Sequence, residues 1–188
     1  MNHSPGFLEV FGPVAAFIAV TGYLWLVVVI RRRGWPRRRS FAWVAGSLTA
    51  ALAVSGPLAA SAHSSYIAHM AAHLLLGMVA PLLLVLGAPV TLLLRALPVT
   101  AGRRLSRILT SRPIRILTEP VVAAALNVGP LWLLYTTPLY PAMHHQPAVY
   151  ILVHAHMFLA GYLFWVLVIH WRIAGRPNPL PKAWGGAG

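Results

Sequence analysis

The 188-residue sequence contains no cysteine, which excludes disulfides and thiolate metal ligands. Carboxylates are almost as scarce, with Glu9 and Glu119 standing against 15 Lys and Arg. Two acids so far apart in the chain offer no carboxylate pair, which disfavours acid–base enzymes and carboxylate-dependent proton-coupled transporters. No G-x-x-x-x-G-K, H-E-x-x-H or nucleophile elbow occurs, so nucleotide, zincin and hydrolase chemistries lack their motifs. The expectation is a protein that is not an enzyme. Charge of either sign is low, at 9% of residues with 59% hydrophobic, whereas a soluble domain carries about 25% charged residues. The chain therefore reads as an integral membrane protein. Its net charge of +13 does not point to nucleic acid, because the basic residues fall in short clusters between apolar runs, where membrane topology puts them.

What is present is a set of long apolar runs. They predict an all-α, polytopic helix bundle in one transmembrane domain, with about five spans over 10–30, 41–62, 66–94, 120–137 and 148–169. A span needs about 20 apolar residues to cross a hydrocarbon core of about 30 Å. No basic region precedes the first run and an arginine block follows it, the reverse of a cleaved signal peptide. The third run is longer than the core is thick and is expected to tilt or kink, with Pro81 and Pro89 as kink points. The fourth is the shortest and carries Asn127 and Pro130. Between the third and fourth, Leu105, Ile108 and Leu109 share one helical face and Arg103, Arg104 and Arg107 fall mostly elsewhere, the pattern of a helix lying on a membrane surface and ended by Pro113. Residues 170–188 read as a Pro- and Gly-rich cytoplasmic tail.

Alternate connections hold all 15 basic residues: 31–39, 95–115, and 172–182. The opposite side, 1–9, 63–66 and 137–147, holds none. Lys and Arg remain cytoplasmic, so the N-terminus is expected outside and the C-terminus inside.

That orientation places eight of the nine histidines in or near the outer half, with His170 alone at the inner edge. Ionisable groups within a span usually mark a working site. His69 and His73 are four residues apart, on one helical face about 6 Å apart along the axis, and Met70 lies near that face. His73 and His154 sit at similar depths, about 10 Å into their spans, and face one another if those helices pack. His154 and His156 are roughly 200° apart on a helix, so only one can point into a shared site. Met143 and Met157 lie beside other outer histidines. Imidazole with thioether suits copper, Cu(I) in particular. The expected metal ligands are His69, His73, His154, His156 and Met70. Haem held between histidines of the third and fifth spans is the alternative cofactor, and helix-to-helix hydrogen bonding is the structural one.

The stretch AHMAAHLLLGMVAPLLLVLGAPVTLLLRALP over 68–98, with its lead-in SGPLAASAHSSY, resembles the first signature of the polytopic CtaG family of cytochrome c oxidase assembly proteins. YTTPLYPAMHHQPAVYILVHAHMFLAGYLFW over 135–165 resembles its second. His69 and His73 match the histidine pair of the first signature, and His154 and His156 the H-x-H of the second. The resemblance implies a bacterial inner-membrane factor that helps mature a haem–copper oxidase at its copper centre, with oxidase subunits or other assembly factors as partners. A copper carrier unrelated to the oxidase is the competing function. Members of the family continue through further spans, so a short or truncated member is expected.

Overall fold

The structure is a computed structural model that describes residues 7–31, 34–62, 65–137 and 146–174. All regular structure among them is helical. Helix α1 (Phe7–Val29) is followed by α2 (Arg37–Val54), which starts immediately after Pro36. The second expected span is interrupted: α2 stops at Ser55, Gly56 takes a positive φ of 78°, and a short α3 (Gly56–Ala62) continues.

The third span is built in four pieces. Helix α4 (Tyr66–Leu74) is N-capped by Ser65, whose hydroxyl accepts from Ala68 N–H. A π-turn (Leu75–Val79) leads into α5 (Ala80–Leu86), and α6 (Pro89–Ala96) follows a break. Both interruptions precede prolines, as the sequence leads one to expect. Pro81 supplies no N–H to the carbonyls one turn earlier, and the ladder responds by widening: Ala80 N–H bonds Leu75 O, five residues back. At the second break Ala88 adopts φ 51° and Pro89 opens α6. The carbonyl exposed there, Gly87 O, accepts from Tyr23 Oη at 2.7 Å.

The basic segment forms α7 (Val99–Leu109) and α8 (Arg112–Leu117). Pro113 does not end the surface helix as expected. The helix stops earlier, at Leu109, and Pro113 sits in the first turn of α8, where its missing N–H has no intrahelical partner to lose. Helix α9 (Pro120–Thr136) is N-capped by Glu119, whose Oε2 accepts from Val121 and Val122 N–H at 2.9 and 3.0 Å. Helix α10 (Pro147–Ala174) completes the described chain.

Among the described residues four stretches are long and apolar enough to cross a membrane: Val10–Val29, Arg37–Ser61, Tyr66–Ala96 and Ala148–Ile169. The fourth expected span is α9, whose 17 residues reach about 25 Å at 1.5 Å per residue, short of a typical hydrocarbon core. The bundle packs α2 between α1 and α5, and lays α10 over α5, the π-turn and α9. Gly46 lets α2 approach α5, since a Cβ there would meet Leu83 and Leu84 atoms at 3.0 Å. The outward faces stay apolar; Phe17 and Trp25 of α1 are 70% and 66% exposed. Such faces suit lipid, which supplies no competing hydrogen bonds. Hydroxyls along the helices accordingly bond back to their own backbone, as Thr21 does to Phe17 O and Thr49 to Ala45 O, both at 2.8 Å.

Candidate functional site

The third span and α10 meet at Gly77 and Gly161. A Cβ on Gly161 would fall on the Gly77 carbonyl oxygen, so the two backbones are in direct contact. Met157 lies over the same crossing, with its Cγ at 3.0 Å from where a Gly77 Cβ would stand. Small residues at such crossings are how membrane helices approach closely. One turn before Gly77 comes His73, and two turns before Gly161 comes His154. The crossing therefore sets these two histidines opposite one another.

Three imidazoles come together as a result. The rings of His69 and His73 have centroids 4.4 Å apart, as their four-residue spacing on α4 dictates. His73 and His154 are 5.6 Å apart, edge to face. Tyr150 lies against the His154 ring at 4.0 Å. The His154 Nδ1–H donates to Tyr150 O at 2.8 Å. A carbonyl oxygen can only accept, so in neutral imidazole this bond puts the proton on Nδ1 and the lone pair on Nε2. His154 is 9% exposed. Among the described residues His73 Nε2 is buried and lacks a hydrogen-bond partner.

His156 goes elsewhere, as the roughly 200° separation from His154 requires. Its Nε2–H donates to Leu126 O of α9 at 3.0 Å, tying α9 to α10. Met70 is half-buried on α4, on the turn before His73. The thioether brought to the crossing of the π-turn and α10 is that of Met157, one turn along α10 from His154. His63, His144, His145 and Met143 lie outside the described residues. Among the described residues no group of three or more His, Cys, Asp or Glu is placed to hold a metal ion. The cluster is thus a row of three imidazoles, with soft sulfur one turn away and one nitrogen lacking a partner. That donor set matches copper better than zinc, which has no use for thioether.

Two contributors escaped the sequence reading. Tyr150 was not singled out in the sequence, although its four-residue spacing from His154 was a usable signal. The π-turn depends on a tertiary contact and left no signal beyond Pro81. An apolar cavity of about 510 Å³ borders the cluster, between α1, α2 and α10, and His154, Leu76, Ser47 and Phe158 are among its walls.

Comparisons with known proteins agree with this architecture. The family model described as cytochrome c oxidase caa3 assembly factor (Caa3_CtaG) matches residues 21–186. The chain is 33% identical over 175 residues to "Uncharacterized protein Mb0105" of Mycobacterium bovis, covering 88% of this chain and 26% of that protein. "Uncharacterized protein ML1998" of Mycobacterium leprae is 33% identical over 183 residues, covering 92% of this chain and 27% of that protein. The chain thus spans about a quarter of the length of these curated relatives. No solved structure matches it significantly. With its two histidine-bearing helices in contact and the family match running over nearly the whole chain, this all-α membrane protein belongs to the Caa3_CtaG family of cytochrome c oxidase caa3 assembly factors.

Proposed function

We propose that this chain acts in assembling a cytochrome c oxidase, and that His69, His73 and His154 receive copper for the oxidase at the outer half of the bacterial cell membrane. The carrying observation is the buried His73 Nε2, which lacks a partner among the described residues and lies between two further imidazoles. The Tyr150 carbonyl orients His154 so that its Nε2 lone pair is the donor, the usual job of an outer partner to a ligating histidine. Copper is cargo here. The chain's residues bind it, hold it away from water and release it to a client, with no reaction catalysed on the way. Met157, and Met70 on the turn before His73, are the thioethers available to favour the reduced ion. His156 is a packing group in this reading, not a ligand. The partners are oxidase subunits or other assembly factors reached within the bilayer.

The test is a Cu(I) titration of purified protein against a competing chelator. His73→Ala and His154→Ala should each lose most of the affinity, and His156→Ala should keep it while unfolding more easily. Neutral imidazole is the ligating form and its ordinary pKa is about 6.5, so affinity should fall as pH drops below that value. Copper bound equally by the His73→Ala, His154→Ala and parent proteins refutes the site. A Soret band in the purified protein would favour the haem alternative. Unchanged oxidase levels in a deletion strain, under both copper-limited and copper-replete growth, would separate the copper site from oxidase assembly.

A further inference from the structure

The apolar cavity beside the histidines separates two parts of the bundle. Helix α1 packs on α2 and α6, whereas α10 packs on α5, the π-turn and α9. The cavity lies between α1 and α2 on one side and α10 on the other. Small residues make its room: Gly12, Ala15, Ala16 and Ala19 line it from α1, and Ala50 and Ala51 from α2. It runs from Trp43 to Val54 along α2 and from Ile151 to Tyr162 along α10, each about 16 Å at 1.5 Å per residue. Spread over that length, its volume of about 510 Å³ leaves a cross-section of roughly 30 Å², whereas a helix about 10–12 Å across fills roughly 80 Å² or more. A partner's transmembrane helix does not fit. A single hydrocarbon chain or a flat ring does.

One group in the wall is polar and unsatisfied. Ser47 is 4% exposed, and its Oγ has no hydrogen-bond partner among the described residues. Neighbouring hydroxyls bond a carbonyl one turn back, as Thr49 does to Ala45 O and Ser55 to Ala51 O. Ser47 lies on the same helix, lines the cavity and makes no such bond. Surrounded by apolar groups and lipid, a hydroxyl in that state costs free energy, and a ligand in the cavity relieves it.

The ligand must therefore bring a hydrogen-bonding group to mid-span. Ser47 is ten residues from the start of α2 at Arg37, roughly 15 Å, or about half of a hydrocarbon core of about 30 Å. A phospholipid or fatty acid keeps its charged head at the surface and sends only its chain that deep, which leaves Ser47 as it is. Among the described residues no Lys, Arg, Asp or Glu lines the cavity, so a charged head would be buried without a counter-ion. An uncharged head bearing a carbonyl on a hydrocarbon tail satisfies both conditions. Trp43, one turn from Ser47, with Phe158 and Tyr162 of α10, offers aromatic walls against which a planar head packs.

We infer that this cavity is a binding site for a membrane quinone. The ring lies among Trp43, Phe158 and Tyr162, one ring carbonyl accepts from Ser47 Oγ–H, and the tail follows the Ala-rich faces of α1 and α2 toward Val54. The site adjoins His154 but needs no copper, so it stands apart from the copper reading.

The test is quenching of tryptophan fluorescence in the purified full chain, with a copper chelator present, by a benzoquinone bearing a decyl tail. Trp43 in the wall puts an indole against the bound ring. The parent should show saturable quenching at one quinone per chain. Ser47→Ala should weaken binding about tenfold through the lost hydrogen bond. It should also fold as stably as the parent, since the hydroxyl it removes bonds nothing in the chain. Ala51→Phe fills the slot and should abolish saturable quenching; should it fail to fold, Ser47→Ala decides alone. Decylbenzene and decanoate should not compete, the first for want of a carbonyl and the second because of its charge. The inference is overturned by quenching that never saturates, or if Ser47→Ala or a folded Ala51→Phe binds as the parent does. It is overturned equally if decylbenzene competes as well as the quinone, which makes the cavity a slot for any hydrocarbon, or if decanoate does, which makes it a fatty-acid site.

Discussion

Replacing Gly161 by Ala tests the crossing on which the histidine cluster depends. A methyl carbon there falls on the Gly77 carbonyl oxygen, a backbone atom that cannot rotate away. Adding a methylene to a tight interior typically costs about 1–3 kcal/mol when side chains can yield. Here the yielding group is a helix backbone, so the cost should reach about 3 kcal/mol or more. Two other glycines calibrate that figure. At Gly77 the added carbon meets Met157 Cγ at 3.0 Å, a thioether side chain that re-packs readily, so Gly77→Ala should cost about 1 kcal/mol or less. At Gly102 on α7 nothing lies within 4 Å, and Gly102→Ala should stabilise by about 0.5–1 kcal/mol through helix propensity alone.

The assay is unfolding of detergent-solubilised protein in increasing SDS, followed by far-UV circular dichroism. The expected order of stability is Gly102→Ala, parent, Gly77→Ala, then Gly161→Ala well below the rest. A Gly161→Ala variant as stable as Gly77→Ala would refute the reasoning, because it would mean that α10 does not press on the π-turn.

The lack of cysteine gives a clean background for the other experiments. Single cysteines at Gln146 and Ser106, both exposed, should differ in intact cells: the first should react with an impermeant thiol reagent and the second should not, and the opposite pattern reverses the proposed orientation. Tyr23→Phe removes the acceptor of Trp35 Nε1–H and the donor to Gly87 O; with one buried and one half-buried group left unpaired it should lower stability by about 1–3 kcal/mol, and an unchanged SDS midpoint would count against a structural role for that hydroxyl. Pro81→Ala restores a backbone N–H and allows an unbroken α-helix; relaxing the π-turn would turn His73 by about one residue, roughly 100°. Cysteines at 73 and 154 joined by a short bifunctional reagent should then crosslink less in the Pro81→Ala background, and equal yields would show that the proline does not set the register.

Long apolar runs and the one-sided arginines made the membrane bundle legible from sequence, because length and charge act locally on each helix. The shared face of His69 and His73 was equally legible, since four-residue spacing fixes it wherever α4 packs. So was the division of labour between His154 and His156, which follows from helix geometry alone. Other features depend on pairs remote in sequence. Nothing local distinguishes Gly161 from any other small residue in an apolar helix until Gly77 is opposite it. Pro81 announced an irregularity without saying that it would be a π-turn. The roles of Tyr23 and Glu119 were missed for different reasons. Tyr23 acts across the bundle on Gly87, whereas Glu119 is a local N-cap signal, just ahead of Pro120, that the sequence reading did not draw.

The treatment of polar groups in this apolar bundle gives the histidine cluster its weight. An unsatisfied buried group costs about 1–3 kcal/mol, and lipid offers no water to relieve it. The chain meets that constraint with partners of its own, local or from a neighbouring element: Thr49 bonds Ala45 O, Glu119 caps α9, His156 bonds Leu126 O and Trp35 bonds Tyr23. Among the described residues the buried side-chain atoms left without a partner are Ser47 Oγ, His73 Nε2 and Trp165 Nε1. The serine and the tryptophan stand singly, and each offers a weak or purely donating group. His73 is flanked by two imidazoles, and the neighbour across the helix interface has its proton held on the far nitrogen by Tyr150. A purely structural histidine would gain by bonding a carbonyl, as His156 does. His73 forgoes that bond at a position where the backbone crossing of Gly77 and Gly161 holds α10 close enough for a second ring to face it. The copper reading therefore attaches first to His73, and His73→Ala is the substitution on which it stands or falls.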